Sequence, residues 1–435
     1  MAKHGLRAAV AGPITVITVA ALGLAACGTD ASSGSGGAKG SSTIQIWEGY
    51  TQVEAKAFAY LVSEYEHQHP GQKVSTLFVN NDDSLQKVLT AVRGGSPPDI
   101  AYLYGSWAPN VAQIPQVVNL STAVQQPGVN WNDFWVGERD VATVNGKVIG
   151  VPALVDNLAV VYNKTLFANA GLTPPGPDWT WQEFQADAKK LTNPAIKQYG
   201  TAYVTPGNED TVWHWEALLW EAGGQLLSAD GKQAAFNSPA GLASLNTLRA
   251  MAVTDRSMYL DPTDSAYDNL FNSGKIGMLV TGPWDLATFT NVKYGVQVMP
   301  AYPDGKGHQT ISGPDNWVVF NNGAANVAAA EKFLLWLTAP AQVKYFSMQT
   351  GDLPIRQSVG DASGFSQQMD STLPGVSTFV GNLANVRQAR PQIPQYPKIS
   401  QILGTMIASV LLGKSQPQAA LAAAAQQVNQ ALAAS

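Results

Sequence analysis

Between residues 43 and 103 the hydrophobic pattern changes period four times, and few folds accept such a pattern. Thr43-Ile44-Gln45-Ile46-Trp47 alternates as a half-buried strand does. From Val53 the period lengthens to that of a helix, placing Ala57, Phe58, Leu61, Val62 and Tyr65 on one stripe until His69-Pro70-Gly71 closes it. Positions 74–79 read as a second strand, after which Asp82 or Asp83 caps a helix through Leu85, Val88, Leu89 and Val92. Gly94-Gly95-Ser96-Pro97-Pro98 then turns the chain into Asp99-Ile100-Ala101-Tyr102-Leu103. Strand, helix, strand, helix, strand is the order of a doubly wound α/β domain. Such sheets gather small molecules beyond the carboxyl ends of their strands, which makes Glu48, Asp82 in the segment 80–83, and Tyr104, Ser106 and Trp107 candidate contacts.

The remaining length allows more than one such unit. A chain of 435 residues, 45% of them hydrophobic, suffices for about two domains with sizeable cores. A formal net charge of -5 without any basic run argues against nucleic acid, whose binding is dominated by Lys and Arg on phosphates. The 12 Trp and 14 Tyr are more than core packing alone favours, because both residues carry polar atoms that need partners once buried.

The only cysteine, Cys27, closes an N-terminal stretch in which Lys3, His4 and Arg7 flank or enter an apolar run from Leu6 to Ala26. Leu24-Ala25-Ala26-Cys27 resembles the lipobox of bacterial lipoproteins. On that reading residues 1–26 are a signal peptide, the Cys27 sulfur carries lipid such as palmitate, and the mature chain is held on the extracytoplasmic face of the plasma membrane. A transmembrane helix competes on length, against Gly5, Gly12, Pro13, Gly23 and the lack of a stop-transfer cluster. Residues 27–43, rich in Gly and Ser, read as a flexible tether. With no second cysteine there is no intramolecular disulfide.

Further along, the segment 151–167 (VPALVDNLAVVYNKTLF) is followed by Ala170-Gly171-Leu172, Thr180-Trp181-Gln182-Glu183-Phe184 and Ala188-Lys189-Lys190-Leu191-Thr192. Together these resemble the signature region of the extracellular solute-binding proteins of ABC importers, the carbohydrate-uptake branch typified by maltose-binding protein. Pro97-Pro98-Asp99-Ile100, Glu221-Ala222-Gly223-Gly224, Phe236-Asn237-Ser238-Pro239, the block from Phe271 to Met278 with Gly282-Pro283-Trp284, Gly351-Asp352-Leu353-Pro354, and Arg390-Pro391-Gln392-Ile393-Pro394 extend the match in order along the mature chain. The resemblance implies two α/β lobes of the periplasmic-binding-protein type, each a mostly parallel sheet flanked by helices, closing by a hinge on a central cleft. It implies crossings near 154–157, 312–317 and 351–358, so that 44–154 with 317–352 form one lobe and 155–316 with 353–435 the other. It further implies delivery of a small molecule to the transmembrane subunits of a permease, by a monomer that touches the membrane through its anchor alone. No cofactor and no metal are expected.

Contact residues carry over from the family where the context matches. Trp284 falls where relatives stack an aromatic ring on a sugar, and Trp213 where they place a second. Asp156 and Asn157 follow the first crossing, Asp315 the second, and Arg390 lies in the tail segment that lines the cleft of relatives. Each has a plainer reading. Trp284 suits a core position at a strand end, Trp213 shares its segment with Trp215 and Trp220, Asp156 serves equally as a hinge hydrogen-bonder, and Arg390 as a partner for a carboxylate. Asp99 reads as a turn or cap residue, and Trp179 and Trp181 as packing at a helix entry.

A mono- or oligosaccharide is the expected ligand, with a glycerophosphodiester such as glycerophosphocholine as the alternative. A phosphate would ask for Arg390 together with a second cation, Arg387 or Arg356. Enzyme signatures are thin. His67 and His69 sit in a turn, His214 and His308 stand alone, no G-x-S-x-G occurs, and Gly413-Lys414-Ser415 lacks the earlier P-loop glycine. A lipid-anchored glycoside hydrolase stays open, since paired carboxylates are a matter of geometry. A scaffold or adhesin would not need cleft aromatics. The tail, with Ile402, Met406, Val410, Leu421, Val428 and Leu432, suits helices docked on a lobe.

Overall fold

The alternation at the start of the chain builds half of a sheet, as a computed structural model of residues 43–434, without positions 264, 304 and 306, lays out in full. The expected signal peptide, Cys27 and the tether up to residue 42 lie outside the described residues. Strand β1 (Thr43–Glu48) turns Ile44 and Ile46 inward. Helix α1 (Gln52–Gln68) buries Ala57, Phe58, Leu61 and Tyr65, then stops at His69 because Pro70 disfavours a helical residue before it. Strand β2 (Lys73–Phe78) leads to helix α2 (Asn81–Arg93). Asn80, rather than Asp82 or Asp83, is the cap of α2, its side chain accepting from the Asp82 N–H at 3.0 Å. Strand β3 (Ile100–Tyr104) follows. Asp99 staples this layer: its carboxylate accepts from Gln45 N, Asn322 Nδ2 and Asn326 Nδ2.

A small hairpin, β4 (Thr143–Val144) and β5 (Lys147–Val148), turns through Asn145 and Gly146, both at positive φ as a tight hairpin turn requires. Strand β6 (Val151–Leu154) completes the first run. The second set is β7 (Ala159–Asn163), β8 (Thr201–Val204), β9 (Met258–Asp261), β10 (Met278–Thr281) and β11 (Tyr294–Gln297), and β12 (Asp315–Val319) returns to the first sheet.

The first sheet has the order β2-β1-β3-β12-β6. Only β12 is reversed, being antiparallel to both β3 and β6, while β1 pairs parallel with β2 and β3. In the second lobe β8 pairs parallel with β9, and β7 lies antiparallel between β10 and β11. A parallel bridge from Tyr199 to Ile276, with the Met278 N–H donating to the Gly200 carbonyl at 2.8 Å, joins the two parts in the order β9-β8-β10-β7-β11. Here only β7 is reversed. Each reversed strand is the first one entered after a crossing, so it starts at the cleft where its neighbours end.

The crossings themselves pair. Asn157 bridges Ser312 and Val155 bridges Leu353, both antiparallel, so three segments run side by side between the lobes. The first lobe's core holds Tyr50, Tyr102, Phe58 and Trp317, with the Phe58 and Trp317 rings stacked at 5.6 Å. Such rings contribute much of the buried area of a core. In the second lobe the helix Glu209–Glu221 is buried on nearly every side, under the tail helix Tyr396–Leu411, on which Pro417–Ala433 packs in turn. Gly404 allows the close approach there, since a Cβ would overlap the Gly207 carbonyl. No helix among the described residues is long and apolar enough to cross a membrane.

Candidate functional site

The strand ends converge on a cavity of about 200 Å³ between the two sheets. From the first lobe its wall takes Tyr50, Glu54, Asn81, Asp82, Tyr102 and Tyr104; from the second, Glu209, Asp210, Trp213, Tyr267, Trp284 and Arg390. Asp156, Gly313 and Asp315 come from the crossings. An adjoining cavity of about 280 Å³ shares Thr51, Glu54, Tyr267 and Trp284. Near it, Gln52, held at φ 44° by the entry to α1, donates to the Asp268 carboxylate of the other lobe at 2.5 Å.

Two aromatics form one wall. Trp284 follows β10 and is half-buried; the ring folds back over Gly282, where any side chain would overlap it. Trp213, 6% exposed, lies 5.9 Å from Trp284 between ring centroids, and its indole N–H has no partner among the described residues. Trp213 also packs beside Gly313, whose N–H donates to Asp156 Oδ1 at 3.0 Å. A Cβ on Gly313 would collide with that carboxylate, which explains glycine at the second crossing.

The opposite walls are acidic. Asp315 accepts from the Tyr102 hydroxyl at 2.5 Å and the Gly105 N–H at 3.1 Å; burial pushes its carboxyl up to about 6 although Arg390 pulls the other way. Burial, with Asp315 and Asp352 nearby, raises Asp156 well above the carboxylate range. Glu54 is raised by burial and by Asp352. Asp82, in the first turn of α2, has both carboxylate oxygens buried without a hydrogen-bond partner among the described residues; burial and the charges of Asp210 and Glu209 push it up to about 8. Asp210 Oδ1 lies 3.3 Å from His214 Nδ1, while Oδ2 has no partner. Burial lowers His214, but Asp210 outweighs it and the net shift is upward.

Arg390 is the only cation among the described residues lining the cavity, and it is already engaged. It donates to Glu209 Oε1 at 2.9 Å, and Glu209 further accepts from the hydroxyls of Tyr396 (2.9 Å) and Ser400. Burial opposes the Arg390 charge, but Glu209 overrides it and raises the pKa.

Of the candidates from sequence, Trp284, Trp213, Asp156, Tyr104, Asp82, Asp315 and Arg390 line the cavity. Four do not. Asn157 is a clasp between the lobes and the helix Val376–Asn382, donating to the Phe379 carbonyl and accepting from Asn382. Glu48 accepts from the Tyr50 N–H at 2.7 Å and shapes the loop. Trp107 packs 4.6 Å from Tyr104 between centroids, supporting it from behind, and Ser106 is buried beside it. Of the two cations named as partners of Arg390 for a phosphate, neither Arg356, bound to Asp133, nor Arg387 is among the lining residues. Glu54, Glu209, Asp210 and Tyr267 were not singled out from sequence. Asn208 caps its helix and sets Glu209 and Asp210 in the first turn, one turn before Trp213, an arrangement common to many helix starts.

Comparison with known proteins fits this geometry. The family model of bacterial extracellular solute-binding proteins matches residues 49–344. The maltooligosaccharide ABC transporter solute-binding lipoprotein of Streptococcus pneumoniae is 26% identical, covering 78% of this chain and 78% of its own. An sn-glycerol-3-phosphate-binding periplasmic protein of Yersinia pseudotuberculosis is 23% identical over 87% of this chain and 89% of its own. The crystal structure of the cyclic alpha-maltosyl-1,6-maltose binding protein of Arthrobacter globiformis superposes with a TM-score of 0.72 at 30% identity, covering 91% of this chain and all of that one. With its two sheets, paired crossings and walled cleft, the chain belongs to the bacterial extracellular solute-binding proteins.

Proposed function

We propose that the cleft captures a hydroxyl-rich molecule without phosphate, a mono- or oligosaccharide, and that the lobes 44–154 with 317–352 and 155–316 with 353–435 close on it about the three crossings. One observation carries this reading: the wall pairs two indoles with many carboxylates, while its only cation among the described lining residues is held by Glu209. Carboxylates accept hydrogen bonds from sugar hydroxyls, and an indole covers a sugar's C–H face. A phosphate needs free guanidinium or ammonium donors, and Arg390 is bound while Arg356 is elsewhere. That weighs against a glycerophosphodiester, and against sn-glycerol 3-phosphate despite the Yersinia relative. The described residues also lack a cluster of His, Cys, Asp and Glu able to hold a metal ion.

The loaded monomer then hands its cargo to the transmembrane subunits of a permease, without converting it. Lipid on Cys27 confines it there, and the Gly/Ser-rich tether raises its effective concentration at the permease. Scanning fluorimetry with neutral oligosaccharides and with sn-glycerol 3-phosphate tests the ligand class. A sugar at a hundredfold excess over its dissociation constant stabilises the protein by roughly 2.7 kcal/mol; stabilisation by the phosphate ester alone contradicts the proposal. Cys27→Ser releases the protein from the membrane with its affinity unchanged, and retention of that variant at the membrane refutes the anchor.

A further inference from the structure

The hydroxyl-rich reading leaves one imbalance. Glu54, Asp82, Asp156, Glu209, Asp210 and Asp315 line the cavity against a single guanidinium. Arg390 answers Glu209 and His214 answers Asp210 Oδ1, which leaves four of the six facing no cation that the structure pairs with them. Asp156 and Asp315 have neutral donors, Gly313 N–H for the first and Tyr102 hydroxyl with Gly105 N–H for the second. Sugar hydroxyls supply hydrogen bonds but no charge, and a carboxylate removed from water without a counter-charge is costly.

The imbalance is sharpest where the lobes meet. Asp82 stands in the first turn of α2, and Asp210 in the first turn of the helix Glu209–Glu221 of the other lobe. Both line the cavity, and both oxygens of Asp82 and Oδ2 of Asp210 are buried without a hydrogen-bond partner among the described residues. Closure thus brings two acids together, and without a counter-charge it favours uptake of a proton by Asp82. One turn on from Asp210, on the same helical face, Trp213 is nine-tenths buried with its indole N–H unpaired. That donor asks for an oxygen acceptor within a few ångströms of the acids. Tyr104, Trp213 and Trp284 also line the same space, and aromatic rings attract cations to their faces.

Building on the reading of the cleft as a site for a hydroxyl-rich ligand, we infer that the ligand is an amino sugar or amino polyol, its ammonium seated between Asp82 and Asp210 and a neighbouring oxygen on the Trp213 indole. The ammonium takes the place of the proton, and because the two acids belong to opposite lobes it binds the closed form selectively.

The test is calorimetry of the full chain with matched pairs at near-neutral pH: glucose and glucosamine, galactose and galactosamine, cellotriose and the fully deacetylated chitosan trimer, with sn-glycerol 3-phosphate beside them. The amine member of a pair binds about tenfold more tightly or better than its neutral partner. That advantage is lost in Asp82→Asn and in Asp210→Asn, each of which suffices should the other fail to fold, and is kept in Asp83→Asn, an exposed neighbour paired with Lys87. Neutral members binding as tightly as their amines overturn the inference and leave the hydroxyl-rich reading standing. An amine advantage that survives both carboxamide variants overturns the assigned seat. Binding by no sugar of the panel, or by the phosphate ester alone, overturns the hydroxyl-rich reading and the inference with it.

Discussion

Two buried arginine–carboxylate pairs lie among the described residues, and they do different work. Arg356, in the third crossing, is sealed against residues of the first lobe: it reaches Asp133 at 3.1 Å, donates to the Thr338 carbonyl, and covers the Phe134 ring at 4.0 Å. Arg390 meets Glu209 at the wall of the cleft, with hydroxyl donors on Glu209 and empty space on the far side. The first pair is enclosed by protein on every side and ties segment 353–360 to residues 130–135. The second faces the ligand and removes the one guanidinium a phosphate would want. Composition and burial are alike in the two; what separates them is whether the neighbouring space is filled by protein or left for something else.

Arg356→Met should show the largest effect on stability. Breaking the pair leaves Asp133 buried with only Ser358 for support, a loss of about 3–5 kcal/mol in denaturant unfolding, with ligand affinity of the folded protein unchanged. An equal loss of affinity would merge the two pairs into one role. Arg390→Met should cost less, about 2–3 kcal/mol, because Tyr396 and Ser400 still donate to Glu209. Unlike the first variant it should also weaken ligand binding, as calorimetry reads directly.

Acid and base separate the pairs further. Burial alone would raise Asp133, but the Ser358 hydrogen bonds and Arg356 outweigh it and hold the carboxyl below its ordinary range. Its contribution is therefore present above about pH 4 and lost as pH falls through the lowered value. At the cleft the sign reverses: Asp315 stands at about 6, Asp352 and Asp285 at about 7, and Asp82 at about 8, all raised first by burial. The folded form binds more protons than the unfolded one between about pH 4 and pH 8, so stability of the ligand-free protein should decline across that window. Melting temperature against pH should fall on both sides of a weakly acidic maximum, and Asp82→Asn should flatten the alkaline limb alone. A maximum at alkaline pH would contradict the burial of the cleft acids.

The smallest effect belongs to a region remote from both pairs. Thr180 caps the helix Trp181–Leu191, its side chain bonded to the Glu183 N–H and the Glu183 carboxylate returning to the Thr180 N–H. Thr180→Ala should cost about 1 kcal/mol of stability and leave binding untouched.

What the chain reveals unaided follows the same division between filled and empty space. Period-two and helical stripes are local, so β1, α1, β2, α2 and β3 were legible within a residue or two, and Trp181 was rightly read as helix-entry packing, with its indole on Glu221. The cap of α2 was misread because Asn80, Asp82 and Asp83 are all competent caps, and only the turn geometry selects Asn80. The cleft acids Glu54, Glu209 and Asp210 were hidden for a related reason. Acids in a first helical turn suit the helix dipole wherever they occur, so nothing local marks those whose helix ends point at one cavity. Asn157 failed as a cavity residue on a matter of one position: along the crossing segment neighbours face opposite ways, and Asp156 took the cavity side while Asn157 took the clasp.

The central claim is that the indole wall at Trp284 and Trp213 grips the ligand. It is tested most directly by titrating wild type and Trp284→Ala in parallel with whichever sugar of the fluorimetry panel stabilises the protein most. Trp284 is half-buried and stands beside the cavity, so its removal should leave the protein folded and reduce the binding free energy by about 2–4 kcal/mol. Wild-type affinity in a folded Trp284→Ala variant would contradict the account.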